Sequence, residues 1–200
     1  SPSRGQLPCM RSANVLCHYC TMRSSSIVHA LVLYLAACGP SAKGELYVGT
    51  GIYDSTGPIG DIMMMGMANP KQVSAGLHQR LRSRAFVALD TATEKRFAFV
   101  SLDAGMAGFV LANRVVAALA ARNLTAYSAQ NVAISGTHTH SGPSGFLQDV
   151  IFQFSGSGWV PAVLDAMVAG VVESIVRADA ALVPAEAFVN VGELRGASIN

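Results

Sequence analysis

Two histidines separated by one residue, His138 and His140, have the residue type and spacing best suited to metal or acid–base chemistry in this sequence. An apolar run at residues 132–134 precedes them and predicts a buried strand, and Gly142-Pro143 predicts a tight turn after them. In an extended backbone, side chains two residues apart point to the same side, so both imidazoles could face one centre. Neutral imidazole is a common zinc ligand, and a second imidazole beside a metal can hydrogen-bond or move a proton. The alternative is that both histidines are ordinary polar loop residues.

The elements that would position this pair alternate between strands and helices along the chain. Strand patterns cover residues 45–53, 84–89, 96–103, 131–135 and 187–191, and helical spacing covers residues 109–122, 146–154 and 161–181. Residues 97–102 are apolar on both faces, which is typical of a central strand, and Pro161 is well placed to open a helix. Asp103 ends that central strand, where capping the following loop or helix is its commonest role. Together these patterns predict an α/β fold with a mixed β-sheet flanked by helices.

Composition limits the classes of function. The chain has 200 residues, a net charge of +2, 13% charged residues and 51% hydrophobic residues. Such a chain can bury a substantial core and is not disordered throughout. No basic run or aromatic-spaced basic patch is present in the sequence, so nucleic acid is not an expected partner.

The first 42 residues differ from the rest and predict a leader or signal region, which leaves residues 43–200 for the globular part. Arg23 precedes an apolar run at residues 27–37 that ends in small residues, the layout of a secretory signal. Residues 35–39, Leu-Ala-Ala-Cys-Gly, resemble a lipoprotein cleavage box with Cys38 as the lipidated cysteine. We therefore expect a secreted or membrane-associated protein. All four cysteines lie before residue 39, so no disulfide framework is expected in the globular part.

Four segments together resemble the neutral ceramidases, zinc-dependent amidases that split ceramide into sphingosine and a fatty acid. They are VGTG (48–51) with DSTGP (54–58), GLHQRLRSRAF (76–86), FVSLDAGM (99–106) and SGTHTHSGP (135–143). The similarity extends from Leu46 to Asn200, and it implies that this chain is the incomplete amino-terminal part of a larger catalytic domain.

The resemblance also implies roles for the two histidines. His138 corresponds to a ligand of Zn²⁺, and His140 corresponds to a catalytic residue beside the metal that contacts the substrate. The family's other zinc ligands, its catalytic serine and an active-site arginine that follows an Ile-Asn pair, here Ile199-Asn200, are expected beyond Asn200. The expected substrate is ceramide or a related sphingolipid at a membrane surface, and this chain alone is expected to be inactive. The sequence gives no indication of the oligomeric state.

Two other functions remain open at this point. One is a different metal-dependent amidohydrolase, because HxH at the end of an early strand also occurs in barrel enzymes of that kind. A barrel would need a regular strand–helix repeat after Val132, which the sequence does not show. The other is a non-catalytic secreted lipoprotein or binding domain with His138 and His140 as polar loop residues.

Overall fold

A computed structural model describes residues 44–197 of the chain. The expected leader at residues 1–42, with Cys38, and the Ile199-Asn200 pair lie outside the described residues. The strands are β1 (Leu46–Asp54), β2 (Gly60–Met63), β3 (Val73–Ala75), β4 (Arg82–Asp90), β5 (Lys95–Leu102), β6 (Val132–Gly136) and β7 (Val183–Pro184). The helices are α1 (Phe109–Ala121), α2 (Val150–Ser155) and α3 (Pro161–Ala180).

Five of the strands form one mixed sheet in the order β6-β5-β4-β1-β7. The pairs β7–β1, β1–β4 and β4–β5 are antiparallel, whereas β5 and β6 are parallel. Parallel neighbours need a long crossover connection, and the connection between β5 and β6 contains α1. The predicted α/β fold with a mixed sheet and helices is therefore confirmed. Within residues 44–197 the single parallel pair is not the run of parallel strands that a barrel amidohydrolase would need.

One face of the sheet is covered by α1 and α3 and forms the core. Side chains alternate between faces along a strand, and on this side Ser83, Ala85 and Val87 of β4 and Ala98, Val100 and Leu102 of β5 are buried. The core contains Val87, Val100 and Leu102 from the sheet, Leu111, Val115 and Leu119 from α1, and Val163, Leu164, Val171 and Ile175 from α3. In residues 44–197 no helix combines the length and the apolar character that a membrane span requires.

Helix α3 lies unusually close to β1 because β1 presents glycines to it. A Cβ at Gly49 would lie 1.9 Å from the carbonyl oxygen of Ala178, and one at Gly51 would lie 2.1 Å from that of Ser174. Next to this contact, the buried hydroxyls of Ser83 and Ser174 are 2.8 Å apart, and Ser174 also donates to the Val171 carbonyl. The glycines of the VGTG segment thus allow a helix backbone to pack directly on the sheet.

A cluster of three polar side chains, Arg96, Tyr127 and Asp179, connects the carboxyl end of α3 to the amino end of β5. The Asp179 carboxylate accepts hydrogen bonds from Arg96 Nε at 3.0 Å and from the Tyr127 hydroxyl at 2.5 Å. Burial of Tyr127, together with its hydrogen bond to the Asp179 carboxylate, raises the pKa of the phenol far above its ordinary value. Tyr127 therefore remains a neutral donor throughout the physiological range.

The opposite face of the sheet has no helix on it within the described residues. Phe97 and Phe99 of β5 and Phe86 of β4 point to this side, with 48%, 40% and 47% of their surface exposed. Ile52 of β1 lies on the same side and is 55% exposed. We call this surface, consisting of Ile52, Phe86, Phe97 and Phe99, the open face. Its apolar character agrees with the prediction that residues 97–102 belong to a strand with two apolar faces.

Two predicted elements were placed wrongly. Helix α2 begins at Val150, and the preceding residues of the predicted helix are irregular; Phe146 and Leu147 are apolar because they enter the core from this irregular segment. In the described part of the chain, residues 187–191 form no strand, and Phe188, Val189 and Val191 are exposed. Their β-branched and aromatic composition resembles that of a strand, but a strand also needs a partner. Pairing with β1 is made instead by Val183 and Pro184.

Candidate functional site

Two loops that follow the adjacent parallel strands β5 and β6 bring the site residues together. The loop after β6 is attached to the loop after β5 by backbone hydrogen bonds, from the Thr137 amide to the Leu102 carbonyl and from the His138 amide to the Ala104 carbonyl. We call residues 137–144 the histidine loop. In open α/β sheets, ligands commonly bind outside the carboxyl ends of parallel strands, and this loop lies at such an edge.

Only glycine fits at the last position of β6, directly before the histidine loop. A Cβ at Gly136 would lie 2.8 Å from the Met106 Cα and 2.9 Å from the Ala104 carbonyl oxygen. The two loops can therefore approach closely enough for their backbones to hydrogen-bond.

The orientation of His138 is fixed by the backbone of the neighbouring loop. His138 Nδ1 lies 2.7 Å from the Gly105 carbonyl oxygen. A carbonyl oxygen can only accept, so Nδ1 carries the proton and donates it. In the neutral ring, Nε2 therefore carries the lone pair, which is the state a metal ligand needs. Gly105 belongs to the FVSLDAGM segment (99–106), but nothing in the sequence indicated that its carbonyl would meet His138.

His140 meets His138 edge to face. The two ring centroids are 4.9 Å apart with an interplanar angle of 78°, and the two Nε2 atoms are 3.4 Å apart. The extended backbone that we expected is wrong, since β6 ends at Gly136 and His138 adopts a left-handed φ of 61°. The rings converge because the loop turns at His138. The prediction that both rings face one centre agrees with this geometry, but the reason given for it, an extended backbone, does not.

The two histidines line a cavity of about 150 Å³. Its remaining wall is largely apolar or small, and includes Met65, Met106 and Phe152. A larger cavity of about 410 Å³ lies on the other side of the histidine loop and is lined by Thr139, Ser141 and other residues that do not include the two histidines. Between residues 138 and 141, alternate residues of the histidine loop thus line different cavities.

Asp103 is not a helix cap, contrary to expectation. One carboxylate oxygen accepts a hydrogen bond from Arg84 Nη1 at 2.8 Å, and the other accepts one from the Arg82 amide at 2.9 Å. The residue that caps α1 is Gly108, and it makes no side-chain bond. Asp103 therefore ties the end of β5 to β4, beside the histidine loop.

The pair of histidines fits part of a zinc site. Two nitrogens bound to one tetrahedral zinc at roughly 2.0–2.1 Å lie roughly 3.3 Å apart, and the two Nε2 atoms here are 3.4 Å apart. The same spacing suits a metal-bound imidazole with a second imidazole close beside it. Among residues 44–197, however, no group of three or more His, Cys, Asp or Glu side chains could hold a metal ion. A catalytic zinc usually has three protein ligands, so this part of the chain could supply only a fraction of such a site.

Comparison with known proteins gives a consistent family match. Residues 46–200 match the family model described as neutral/alkaline non-lysosomal ceramidase, N-terminal. Neutral ceramidase 3 of Arabidopsis thaliana is 45% identical over 159 residues, which cover 80% of this chain and 22% of that protein. Neutral ceramidase of Mycobacterium tuberculosis is 41% identical over 157 residues, which cover 78% of this chain and 25% of that protein.

The fold agrees with a solved structure. The crystal structure of neutral ceramidase from Pseudomonas aeruginosa matches with a TM-score of 0.68 and 37% identity, over 70% of this chain and 22% of that chain. The chain thus spans about a fifth to a quarter of the length of the relatives that it matches.

Proposed function

The chain belongs to the neutral/alkaline non-lysosomal ceramidase family, and we propose on this basis that it forms the amino-terminal part of an enzyme that hydrolyses the N-acyl bond of ceramide. The products would be sphingosine and a free fatty acid. The observation that carries this proposal is the paired imidazoles of His138 and His140, which converge at the carboxyl end of β6 in a chain that matches the family over residues 46–200.

His138 is the proposed zinc ligand. Its Nδ1–H is held by the Gly105 carbonyl, so Nε2 is free to bind the metal without a change of tautomer. When bound, a zinc ion supplies two things that amide hydrolysis needs: polarisation of the carbonyl and a water molecule of lowered pKa. The remaining ligands would come from the part of the protein that corresponds to the rest of the relatives' length, outside the segment matched here.

His140 is the proposed second residue of the site. Its Nε2 faces the same point as that of His138, and the ring is exposed to the cavity rather than buried in the core. From there an imidazole N–H can donate to the ceramide head group or to the oxygen of the scissile carbonyl. Such a donor contributes most when charge develops on that oxygen in the transition state.

The open face supports the proposal that the catalytic domain is larger than this chain. Apolar surfaces of this kind are rarely left exposed in a finished domain. We propose that the rest of the family's catalytic domain covers Phe86, Phe97 and Phe99, since the relatives are four to five times longer than the matched segment. The isolated chain would then be inactive.

Export is a separate proposal that rests on the sequence alone. The apolar run at residues 27–37 and Cys38 would direct the protein out of the cytoplasm and anchor it where its lipid substrate lies. Cys38→Ser should release the protein from the membrane fraction. A mature cytoplasmic protein that retains residues 23–38, identified by mass spectrometry, would overturn export.

The decisive experiment compares three histidine variants of the complete protein. His138→Ala should lower both zinc content and ceramide hydrolysis, because a metal ligand is lost. His140→Ala should retain most of the zinc while lowering kcat roughly a hundredfold. His78→Ala is the control for zinc content: His78 is exposed and lines the larger neighbouring cavity rather than the cavity of the pair, so the zinc content should stay near wild type.

Zinc would be measured by atomic absorption and activity by release of a fluorescent fatty acid from labelled ceramide. Full activity of His138→Ala would remove its role in zinc binding. Equal loss of zinc in His138→Ala and His140→Ala would show that both imidazoles are ligands.

A further inference from the structure

The histidine loop is hydrogen-bonded to residues 63–65, at the end of β2 and directly after it. The Met65 amide donates to the Gly142 carbonyl at 2.9 Å, and the Ser144 amide donates to the Met63 carbonyl at 2.9 Å. Met64 and Pro143 form an isolated antiparallel bridge between these two bonds. Residues 63–65 therefore pair with the histidine loop like a short extra strand. The next residue, Gly66, consequently lies beside His140.

Gly66 lies against the imidazole of His140. A Cβ built on Gly66 would lie 2.4 Å from Cγ, 2.5 Å from Nδ1 and 2.7 Å from Cδ2 of that ring. Real Cβ atoms do not approach other atoms so closely, so the ring occupies the space that any other residue's side chain would need. The backbone of Gly66 also has a φ of 131°, which L residues rarely adopt.

The two neighbours of His140 therefore confine its ring. Gly66 contacts the ring near Cγ and Nδ1, and the edge-to-face contact with His138 involves the other end, where the Nε2 atoms are 3.4 Å apart. His138 is held differently, by its hydrogen bond to Gly105, and Gly66 is not part of that contact.

We propose that Gly66 is a positioning residue for the reaction: its bare backbone fixes the His140 ring with Nε2 turned toward His138 and the cavity. This inference rests on the proposed function of His140. It predicts that a side chain at position 66 displaces His140 selectively and leaves His138, with its zinc, in place.

The test is a double-mutant cycle in the complete protein. Gly66→Ala should lower kcat roughly tenfold to a hundredfold, as expected when a catalytic group is misplaced by about an ångström, while zinc content stays at the wild-type level. Gly66→Ala combined with His140→Ala should be no slower than His140→Ala alone, within about twofold, because the glycine acts only through that ring. A general destabilisation of the fold would instead add to the effect of His140→Ala.

Two glycines of the chain provide matched controls. Gly158 has a comparable φ of 103°, but a Cβ there would meet nothing within 4 Å, so Gly158→Ala tests backbone strain alone. Gly60 lies on β2, in the same hairpin, and a Cβ there would also meet nothing within 4 Å. Both variants should keep kcat within about twofold of wild type.

A crystal structure of the Gly66→Ala protein supplies a readout that does not depend on activity. It should show the His140 ring displaced and His138 Nδ1 still within hydrogen-bonding distance of the Gly105 carbonyl. An undisplaced ring, loss of zinc in Gly66→Ala, or additive effects in the cycle would each overturn the proposal. If His140→Ala itself retained full activity, the proposed function of His140 would fail, and that failure is distinct because it appears without any change at Gly66.

Discussion

Both faces of the five-stranded sheet carry large apolar side chains, but the surroundings of the two faces differ. On one face, Val87 and Val100 have no exposed surface, because α1 and α3 cover them. On the other face, Phe86 and Phe99 are directly opposite each other on neighbouring strands and remain 47% and 40% exposed. Composition therefore identifies which residues can be buried, and the surrounding chain decides which of them are.

The largest expected effect contrasts two neighbouring residues of β4. Val87→Asp places a charge in the core with no partner, which should cost about 3–5 kcal/mol, a large part of the stability of a typical domain. Phe86→Asp places the same charge on the open face and should cost less than about 1 kcal/mol in the 200-residue chain. Urea denaturation followed by circular dichroism measures both. Equal destabilisation by the two variants would mean that the open face is packed within this chain.

A second prediction compares one substitution in two contexts. In the complete protein, Phe99→Ala should destabilise the catalytic domain by about 3 kcal/mol, because a buried aromatic side chain is lost. In the 200-residue chain the same change should cost less than about 1 kcal/mol, because the ring is already partly exposed.

Thermal unfolding of the four proteins gives this comparison. A small effect in both contexts would show that the open face stays uncovered. Vesicle sedimentation of the complete protein would then test a lipid surface as the occupant, and its oligomeric state would test a second copy.

A third prediction concerns the helix-covered face only. Gly51→Ala should move α3 away from β1 and cost about 1–3 kcal/mol, because the new Cβ would meet the backbone of Ser174 rather than a flexible side chain. Gly60→Ala, where the Cβ meets nothing within 4 Å, is the control and should leave the urea midpoint nearly unchanged. A stabilised Gly51→Ala protein would contradict the close approach of α3.

The smallest effect is expected at the polar cluster of Arg96, Tyr127 and Asp179 at the end of α3. Tyr127→Phe removes the hydrogen bond to Asp179 and should cost about 1 kcal/mol at neutral pH. The folded state raises the pKa of Tyr127, so its contribution is complete below the unfolded phenol's pKa of about 10 and is lost as the pH rises above that value. Stability measured between pH 9 and about 11 should therefore fall more steeply in the wild type than in Tyr127→Phe.

The regular parts of the fold followed from local patterns, and the parts that failed depended on distant partners. The strand patterns of residues 84–89 and 96–103, the second of them apolar on both faces, and the helical spacing in α1 and α3 gave those elements within a few residues. The hairpin of β2 and β3 was missed, because residues 60–75 are rich in Met and Gly and do not alternate. Residues 187–191 were assigned wrongly because composition cannot show whether a strand has a partner.

The site shows the same division between local patterns, which the sequence reveals, and contacts with distant residues, which it does not. The apolar run at residues 132–134 was sufficient to place His138 and His140 at the end of β6, but their contacts were not accessible from sequence. Gly105 and Gly66 act on the histidines through a backbone carbonyl and through an absent side chain, respectively. Neither interaction leaves a chemical signal in a single sequence, whereas a histidine does.

The close contact between α3 and the glycines of β1 has a consequence for synthesis on the ribosome. Gly51 and Ser174 are separated by about 120 residues, so at roughly 5–20 residues per second β1 waits on the order of 6–25 s for its helix. The β4–β5 hairpin, closed by the turn at residues 91–94, can form within microseconds of emerging. During that interval the face that α3 later covers is still exposed, and so is the open face. A chaperone would therefore encounter apolar side chains on both sides of the growing sheet.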